Sequence, residues 1–163
     1  MGIDLTLSKK CIIYDHIWRY SKIELLENIK LKILLIEDDA IEVMKLKRAI
    51  KKLELSHELI EAKNGEEALV ILRDDKVIPD VIFLDLNMPK INGLEFLRIL
   101  RKDDVLKYIP TVMLTTSNNR KDVLACYETG VAGYIIKPLK YDDYVKKIEV
   151  ALQYWSMNEL IKA

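Results

Sequence analysis

The stretch Val81–Pro89, V-I-F-L-D-L-N-M-P, decides the fold of this protein. Its first four residues are apolar, and the carboxylate of Asp85 follows them directly. A short apolar run bounded by turn-forming residues is typical of a strand buried on both faces of a parallel sheet. Because α/β proteins place their chemistry at the carboxyl ends of such strands, Asp85 is a candidate functional residue. Asp is also a common turn residue, so this stretch alone leaves a simple capping role open.

The composition of the 163-residue chain is that of a globular protein, with half of its residues apolar. The 26 basic residues balance the 26 acidic ones, which argues against nucleic acid or an acidic membrane as a partner. The apolar runs are too short to cross a bilayer, and we see no signal-peptide pattern. We therefore expect a cytoplasmic protein. Cys11 and Cys126 form no C-x-x-C motif and are expected to be reduced thiols.

Strand and helix patterns alternate along the chain from Leu31 onward. The predicted strands are 32–36, 57–62, 81–84, 111–114 and 133–136. Apolar residues at helical spacing follow each strand, at 43–53, 66–73, 94–100, 121–128 and 144–155. This alternation predicts an α/β fold with a parallel sheet and helices on both of its faces.

Residues 1–30 do not share this pattern and are predicted to be an N-terminal extension. Apolar residues near helical spacing, such as Ile13 and Ile17, are compatible with an amphipathic helix that packs on the domain or on a second copy. A disordered leader is equally compatible with the sequence. The predicted domain spans residues 31–163, ends in an extended helix, and is expected to have no second domain after it.

Polar residues follow the predicted strands at one shared point of the pattern. Glu37 and Asp38 follow the first strand, Asp85 the third, Thr115 the fourth and Lys137 the fifth. Carboxyl ends of parallel strands share one edge of the sheet, so we expect these side chains to meet. Crowded carboxylates repel one another unless a cation is present, and oxygen ligands suit a hard ion such as Mg²⁺. Lys137 could hold a phosphoryl oxygen there.

Each of these residues also has a simpler structural interpretation. Asp38 or Asp39 could cap the first helix, with Asp39 the better candidate. Lys137 could merely neutralise the acids, and Thr115 could be an ordinary strand residue. Because these roles would have to coincide at the ends of four strands, we prefer a shared site.

The residues at the strand ends resemble the receiver domains of two-component response regulators. The similarity covers about residues 31–153 and rests on four motifs: I-E-D-D, L-D-L-N-M-P, L-T-T and G-Y-I-I-K-P. It implies a flavodoxin-like, doubly wound, five-stranded parallel sheet in the order 2-1-3-4-5, with five helices. The motifs H-E-L-I-E-A-K-N-G, P-x-V-M-L-T-T-S-N and W-x-x-x-E-L look most like stand-alone receivers that partner bacterial phytochrome-type sensor kinases.

The resemblance implies a role for each residue at the acidic edge. Asp85 is similar to the phosphoacceptor and would also coordinate Mg²⁺. Asp38 resembles the direct ligand of the ion, Glu37 the acid that binds it through water, and Asn87 the residue that contributes a backbone carbonyl. Lys137 would bind a phosphoryl oxygen.

Two further residues are implied to act in the switch. Thr115 would hydrogen-bond the phosphoryl group, and Tyr134 is similar to the aromatic residue that turns inward when that threonine moves. The bond between Lys137 and Pro138 is often cis in this family, which proline permits at modest cost.

The implied function is a phosphorylation-driven switch, which catalyses its own phosphotransfer and dephosphorylation, rather than a metabolic enzyme. The implied partners are a sensor histidine kinase, of the phytochrome type or another, and a downstream protein or phosphotransfer protein. A homodimer through helix four, strand five and helix five is a further candidate. The expected signalling surface lies around Tyr127, Tyr134 and Tyr144.

Three alternatives remain open to test. An aspartate-nucleophile phosphatase would need a second Asp at position 87, where Asn87 cannot carry a proton. A flavodoxin would bind phosphate after strand one, where Glu37, Asp38 and Asp39 would repel it. A receiver that binds its partner without being phosphorylated is excluded only by a phosphorylation assay.

Overall fold

Five parallel strands form a single sheet in the computed structural model, which describes residues 30–161. The strands are β1 (Lys32–Ile36), β2 (Glu58–Ala62), β3 (Val81–Leu84), β4 (Thr111–Thr115) and β5 (Gly133–Ile136). Their order is β2-β1-β3-β4-β5, and each neighbouring pair is parallel. The flavodoxin-like fold is therefore confirmed. The extension predicted for residues 1–30 lies outside the described residues, apart from Lys30.

Between residues 30 and 161, five α-helices connect or follow the strands. They are α1 (Ala40–Lys52), α2 (Gly65–Arg73), α3 (Gly93–Lys102), α4 (Arg120–Thr129) and α5 (Tyr141–Ser156). A 3₁₀ turn at Leu106–Tyr108, which the sequence analysis did not predict, precedes β4. Such a turn is too short to show a helical period in the sequence. None of the helices between residues 30 and 161 has the length and apolar character that a membrane span requires.

Polar caps start the helices immediately after the strands. The side chain of Asp39 accepts a hydrogen bond from the backbone N–H of Ile41 at 2.8 Å, so Asp39 is the N-cap of α1, as expected. Asn92 caps α3 in a reciprocal capping box with Glu95. Because Asp39 caps the helix, the neighbouring carboxylate of Asp38 is not needed for that purpose.

Two apolar layers cover the sheet, one on each face. On one face, Phe96, Leu97 and Leu100 of α3 pack with Leu84. On the other, residues of α1 and α5, such as Leu46 and Ile148, pack with Phe83. Alternate residues of β3 thus point to opposite layers, as the pleat of a strand requires.

Tyr144 does not lie on the surface, so its expected place in a signalling surface was wrong. Its side chain is 1% exposed, and α5 turns it toward the sheet together with Val145 and Ile148. Burial raises the pKa of its hydroxyl well above the ordinary value, with smaller contributions from nearby acids. Tyr127 is exposed and Tyr134 is half-buried, so these two residues remain accessible.

Arg101 joins three segments that are separate in the sequence. Its guanidinium donates hydrogen bonds to the backbone carbonyls of Gly130 at 2.9 Å, Lys107 at 3.1 Å and Ile109 at 3.2 Å. Burial lowers the pKa of this guanidinium, and the hydrogen bonds to these three carbonyls offset part of the cost of burying its charge. The side chain thereby links α3 to the ends of α4 and of the 3₁₀ turn.

We expect Arg101→Lys to lower the free energy of unfolding by about 2 kcal/mol. The reason is that a lysine ammonium lacks the planar, branched set of N–H donors with which the guanidinium reaches three carbonyls. Urea denaturation followed by circular dichroism would measure the change. Arg98→Lys, an exposed position on the same helix, is the matched control and should change the value by less than about 0.5 kcal/mol. Equal effects at both positions would contradict the role given to Arg101.

Candidate functional site

Three carboxylates meet at the carboxyl edge of the sheet. Glu37 and Asp38 follow β1 and Asp85 follows β3, and one carboxylate oxygen from each lies within 4.8 Å of the others. Glu37 and Asp85 are buried, whereas Asp38 is exposed. Oxygen ligands at this spacing fit a hard divalent cation such as Mg²⁺, whose charge would offset the repulsion between them. The acidic cluster predicted from the strand ends is therefore present in the fold.

The ammonium of Lys137 lies among these acids. Its Nζ is 2.5 Å from Oε2 of Glu37 and 3.3 Å from Oδ1 of Asp85. Parallel pairing of β5 with β4 brings Lys137 to the same edge, since β5 ends at the preceding residue, Ile136. Its side chain is only 4% exposed. A buried positive charge beside Asp85 can bind an anion at this edge of the sheet.

Burial and neighbouring charges have opposite effects on the pKa values of Glu37 and Lys137. Burial raises the pKa of the Glu37 carboxyl, while the hydrogen bond from Lys137 acts to lower it. For Lys137, burial alone would lower the pKa, but the hydrogen bond to Glu37 and the neighbouring carboxylates raise it above the ordinary value. Lys137 therefore stays charged at neutral pH and can bind an anion.

A tight loop after β3 positions the carboxylate of Asp85. The backbone N–H of Asn87 donates to Oδ2 of Asp85 at 2.7 Å, and the side chain of Asn87 is exposed. The N–H of Gly93 donates to the carbonyl of Leu86 at 3.0 Å, which brings the start of α3 against this loop. A Cβ at Gly93 would lie only 2.2 Å from the carbonyl oxygen of Asp85. Glycine is thus required where α3 approaches Asp85.

Thr115 and Tyr134 lie on the β4–β5 side of the edge. Thr115 is fully buried, its carbonyl accepts from the N–H of Lys137 at 2.8 Å, and its hydroxyl oxygen accepts from the N–H of Ser117 at 3.3 Å. Tyr134 donates its hydroxyl to the carbonyl of Ser117 at 3.0 Å. Tyr134 is therefore connected to the loop that follows Thr115 rather than to the acids.

The peptide bond between Lys137 and Pro138 is trans in this structure, although it is often cis in the family that the sequence resembles. The two isomers of an X–Pro bond differ little in energy, and sequence alone does not decide between them.

Glu42 is a charged residue of the site that the sequence analysis missed. Its Oε2 lies 3.6 Å from Nζ of Lys137, and its Oε1 accepts from Lys45 at 2.7 Å. Glu42 lies in the first turn of α1, directly after Asp39 caps the helix. Its position in the first turn of α1 could have identified Glu42 from the sequence, because a helix that starts at the acidic edge keeps its first turn close to that edge.

Comparisons with known proteins agree with this geometry. The family model described as "Response regulator receiver domain" matches residues 33–149. Response regulator Rcp1 of Synechocystis sp. is 35% identical over 128 residues, which cover 76% of this chain and 87% of that protein.

Two solved structures are also similar. The phosphorylated cyanobacterial phytochrome response regulator RcpA has a TM-score of 0.77 and 32% identity, over 82% of this chain and 99% of that one. The Mn²⁺-bound form of response regulator Rcp1 has a TM-score of 0.74 and 33% identity, over the same shares. The expected likeness to phytochrome-associated receivers is thereby confirmed. This chain belongs to the response regulator receiver domain family.

Proposed function

We propose that this protein is a phosphoacceptor switch that receives a phosphoryl group from a sensor histidine kinase on Asp85. The observation that carries the proposal is the contact of one buried ammonium, Lys137, with two buried carboxylates, one of which directly follows the central strand β3. This arrangement supplies a nucleophile and a positive charge for the phosphoryl oxygens at one point of the sheet edge. The membership in the receiver family supports the same function.

In the proposed reaction, a carboxylate oxygen of Asp85 attacks the phosphorus of a phosphohistidine. The new P–O bond forms as the P–N bond breaks, and the histidine nitrogen leaves with the bonding electron pair and takes up a proton. The hydrogen bond from the N–H of Asn87 at 2.7 Å orients the carboxylate. Lys137 stabilises the charge on the transferring group, and Thr115 donates its hydroxyl to a phosphoryl oxygen.

The resemblance to receiver domains implies the roles of the metal ligands, and the three carboxylates among them meet at the edge. Asp38 and Asp85 would bind Mg²⁺ directly, Asn87 would contribute its backbone carbonyl, and Glu37 would bind through water. When bound, the ion supplies positive charge that stabilises the transferring phosphoryl group. Asp38, the exposed member of the three, keeps the acidic edge accessible from solvent.

The signal is proposed to pass through Thr115 and Tyr134. Phosphorylation adds about −1.5 to −2 charges at Asp85, so Lys137 and Thr115 gain new hydrogen-bond acceptors. Any shift of Thr115 moves Ser117, whose N–H it accepts and whose carbonyl accepts the Tyr134 hydroxyl. Phosphorylation would thus bias the arrangement of β5 and the loop after β4.

The output surface is proposed to comprise α4, β5 and α5. β5 is an edge strand, and an apolar groove lies between it and α5, lined in part by Ile136, Val150 and Tyr154. These three side chains are between 40% and 65% exposed and offer apolar surface to a partner. A second copy, a downstream protein or a phosphotransfer protein would bind there. The similarity to RcpA and Rcp1 favours a phytochrome-type kinase as the phosphodonor.

The proposal is tested by incubating the protein with acetyl phosphate and Mg²⁺ and measuring the intact mass. We expect the mass to rise by one phosphoryl group. Removal of Mg²⁺ with a chelator should slow the reaction by at least about tenfold, because the three acids then repel the phosphodonor. Addition of excess Mg²⁺ should restore it. A protein that stays unmodified with Mg²⁺ present, or reacts equally fast without it, contradicts the proposal.

A further inference from the structure

One carboxylate oxygen near the phosphoacceptor has no hydrogen-bond partner among residues 30–161. It is Oε2 of Glu42, which is buried although the side chain as a whole is 17% exposed. A buried carboxylate oxygen without a hydrogen bond is costly and requires a physical explanation. The nearest cation is Nζ of Lys137 at 3.6 Å, just beyond hydrogen-bonding distance.

The ammonium of Lys137 has three N–H donors, and two of them have acceptors here. Glu37 lies at 2.5 Å and Asp85 at 3.3 Å, so the lysine is held toward the metal-binding acids. A shift of well under an ångström would bring Lys137 within hydrogen-bonding distance of Glu42. Glu42 is not among the acids whose oxygens converge as a metal site.

We propose that Glu42 is a positioning residue, the alternative carboxylate partner that receives Lys137 when Glu37 and Asp85 turn toward a bound metal ion. This inference rests on the proposed function of the site. Lys137 and a divalent cation compete for the same two carboxylates, because both are positive and both need their oxygens. Glu42 lowers the free-energy cost of separating Lys137 from these two carboxylates, because Lys137 stays paired with an acid. Lys137 then stays at the rim of the site, where it can bind a phosphoryl oxygen.

The surroundings of Glu42 fit a fixed partner rather than a mobile surface acid. Its other oxygen, Oε1, is held by Lys45 at 2.7 Å, and Nζ of Lys45 lies 5.1 Å from the centre of the Tyr144 ring. Tyr144 is a buried residue of α5. Glu42 is therefore anchored from the side of α1 and α5, and its free oxygen is left facing Lys137.

The test is a double-mutant cycle on Mg²⁺ affinity, measured by isothermal titration calorimetry. We expect Glu42→Gln to weaken Mg²⁺ binding about three- to tenfold, the size of one partly buried charge interaction. In the Lys137→Met background, the same Glu42→Gln change should alter the affinity by less than about twofold, since no ammonium remains to be relocated. An equal loss in both backgrounds would mean that Glu42 acts only through its own charge and would overturn the inference, as would no loss in either.

Glu61→Gln is the charge-matched control. Glu61 lines the same cleft as Glu37 and Asp38 but pairs with Lys47 at 2.7 Å. Its loss should change Mg²⁺ affinity by less than about twofold. A decrease as large as that of Glu42→Gln would contradict a specific role for Glu42.

Failure of this inference can be distinguished from failure of the proposed function. If the wild-type protein gains a phosphoryl group from acetyl phosphate, the proposed function stands regardless of the result of the double-mutant cycle. Thermal unfolding of each variant would confirm that it is folded, and a one-to-one stoichiometry of Mg²⁺ binding would confirm that the acidic site is intact. A folded Glu42→Gln variant with wild-type affinity removes the role assigned to Glu42 alone.

Discussion

Asp85→Asn is expected to abolish phosphorylation completely. Amide and carboxylate side chains have almost the same shape, so the change removes the nucleophile and one charge while it keeps the volume. The 2.7 Å hydrogen bond from the N–H of Asn87 can be accepted by an amide oxygen, so the loop should keep its form. Intact-mass measurement after incubation with acetyl phosphate and Mg²⁺ should show no added phosphoryl group.

The size of this effect follows from the chemistry of the step. An amide is not a nucleophile toward phosphorus, so the rate should fall below detection, a loss of at least about a thousandfold. Asp39→Ser is the matched control, because it removes a neighbouring negative charge and serine still caps α1. Phosphorylation of that control should stay within about threefold of the wild-type rate. An Asp85→Asn protein that still gains the phosphoryl mass would place the phosphoacceptor elsewhere.

Gly93→Ala is expected to cause the largest loss of stability among simple substitutions near the site. The new Cβ would lie 2.2 Å from the carbonyl oxygen of Asp85 and 2.9 Å from Cα of Leu86, and both are backbone atoms that cannot rotate away. Either α3 or the end of β3 must move. We expect the free energy of unfolding to fall by about 3 kcal/mol, the upper end for overpacking, and phosphorylation to slow as Asp85 is displaced.

Gly133→Ala tests whether the effect is specific to the contact at Gly93. A Cβ at Gly133 would meet only the side chain of Val112, at 3.6 Å, an ordinary van der Waals distance. Its free energy of unfolding should change by less than about 1 kcal/mol. Urea denaturation of both variants would provide the comparison. Equal stabilities would show that the approach of α3 to Asp85 is looser than this structure indicates.

The position of the site was predictable because the sequence carries two simple patterns: apolar runs, and polar residues that directly follow them. Apolar runs such as Val81–Leu84 define the strands, and the topology of a parallel sheet brings their carboxyl ends to one edge. Glu37, Asp38, Asp85 and Lys137 could therefore be grouped before any contact was known. The choice of Asp39 as the N-cap followed from the same local logic, since a cap must directly precede the first helical residue.

Contacts that depend on helix orientation were not predictable in this way. Tyr144 belongs to an apolar stripe of α5, yet it was expected on the surface, and only the packing of α5 shows that it is 1% exposed. Arg101 is one of many charged helix residues in the sequence. Its three carbonyl partners become visible only when α3, α4 and the 3₁₀ turn are placed side by side.

The sequence by itself determined the alternation of strands and helices, the acidic edge and most of the residues that meet there, and its resemblance to receiver domains implied the strand order. Only the tertiary structure decided which atoms face each other, such as Oε2 of Glu42 at 3.6 Å from Lys137, and the trans bond before Pro138. The physical reason is that hydrophobic periodicity specifies the face of an element but not its distance from its neighbours. Hydrogen bonds and charge pairs depend on separations of a few tenths of an ångström, which the packing of helices on the sheet sets.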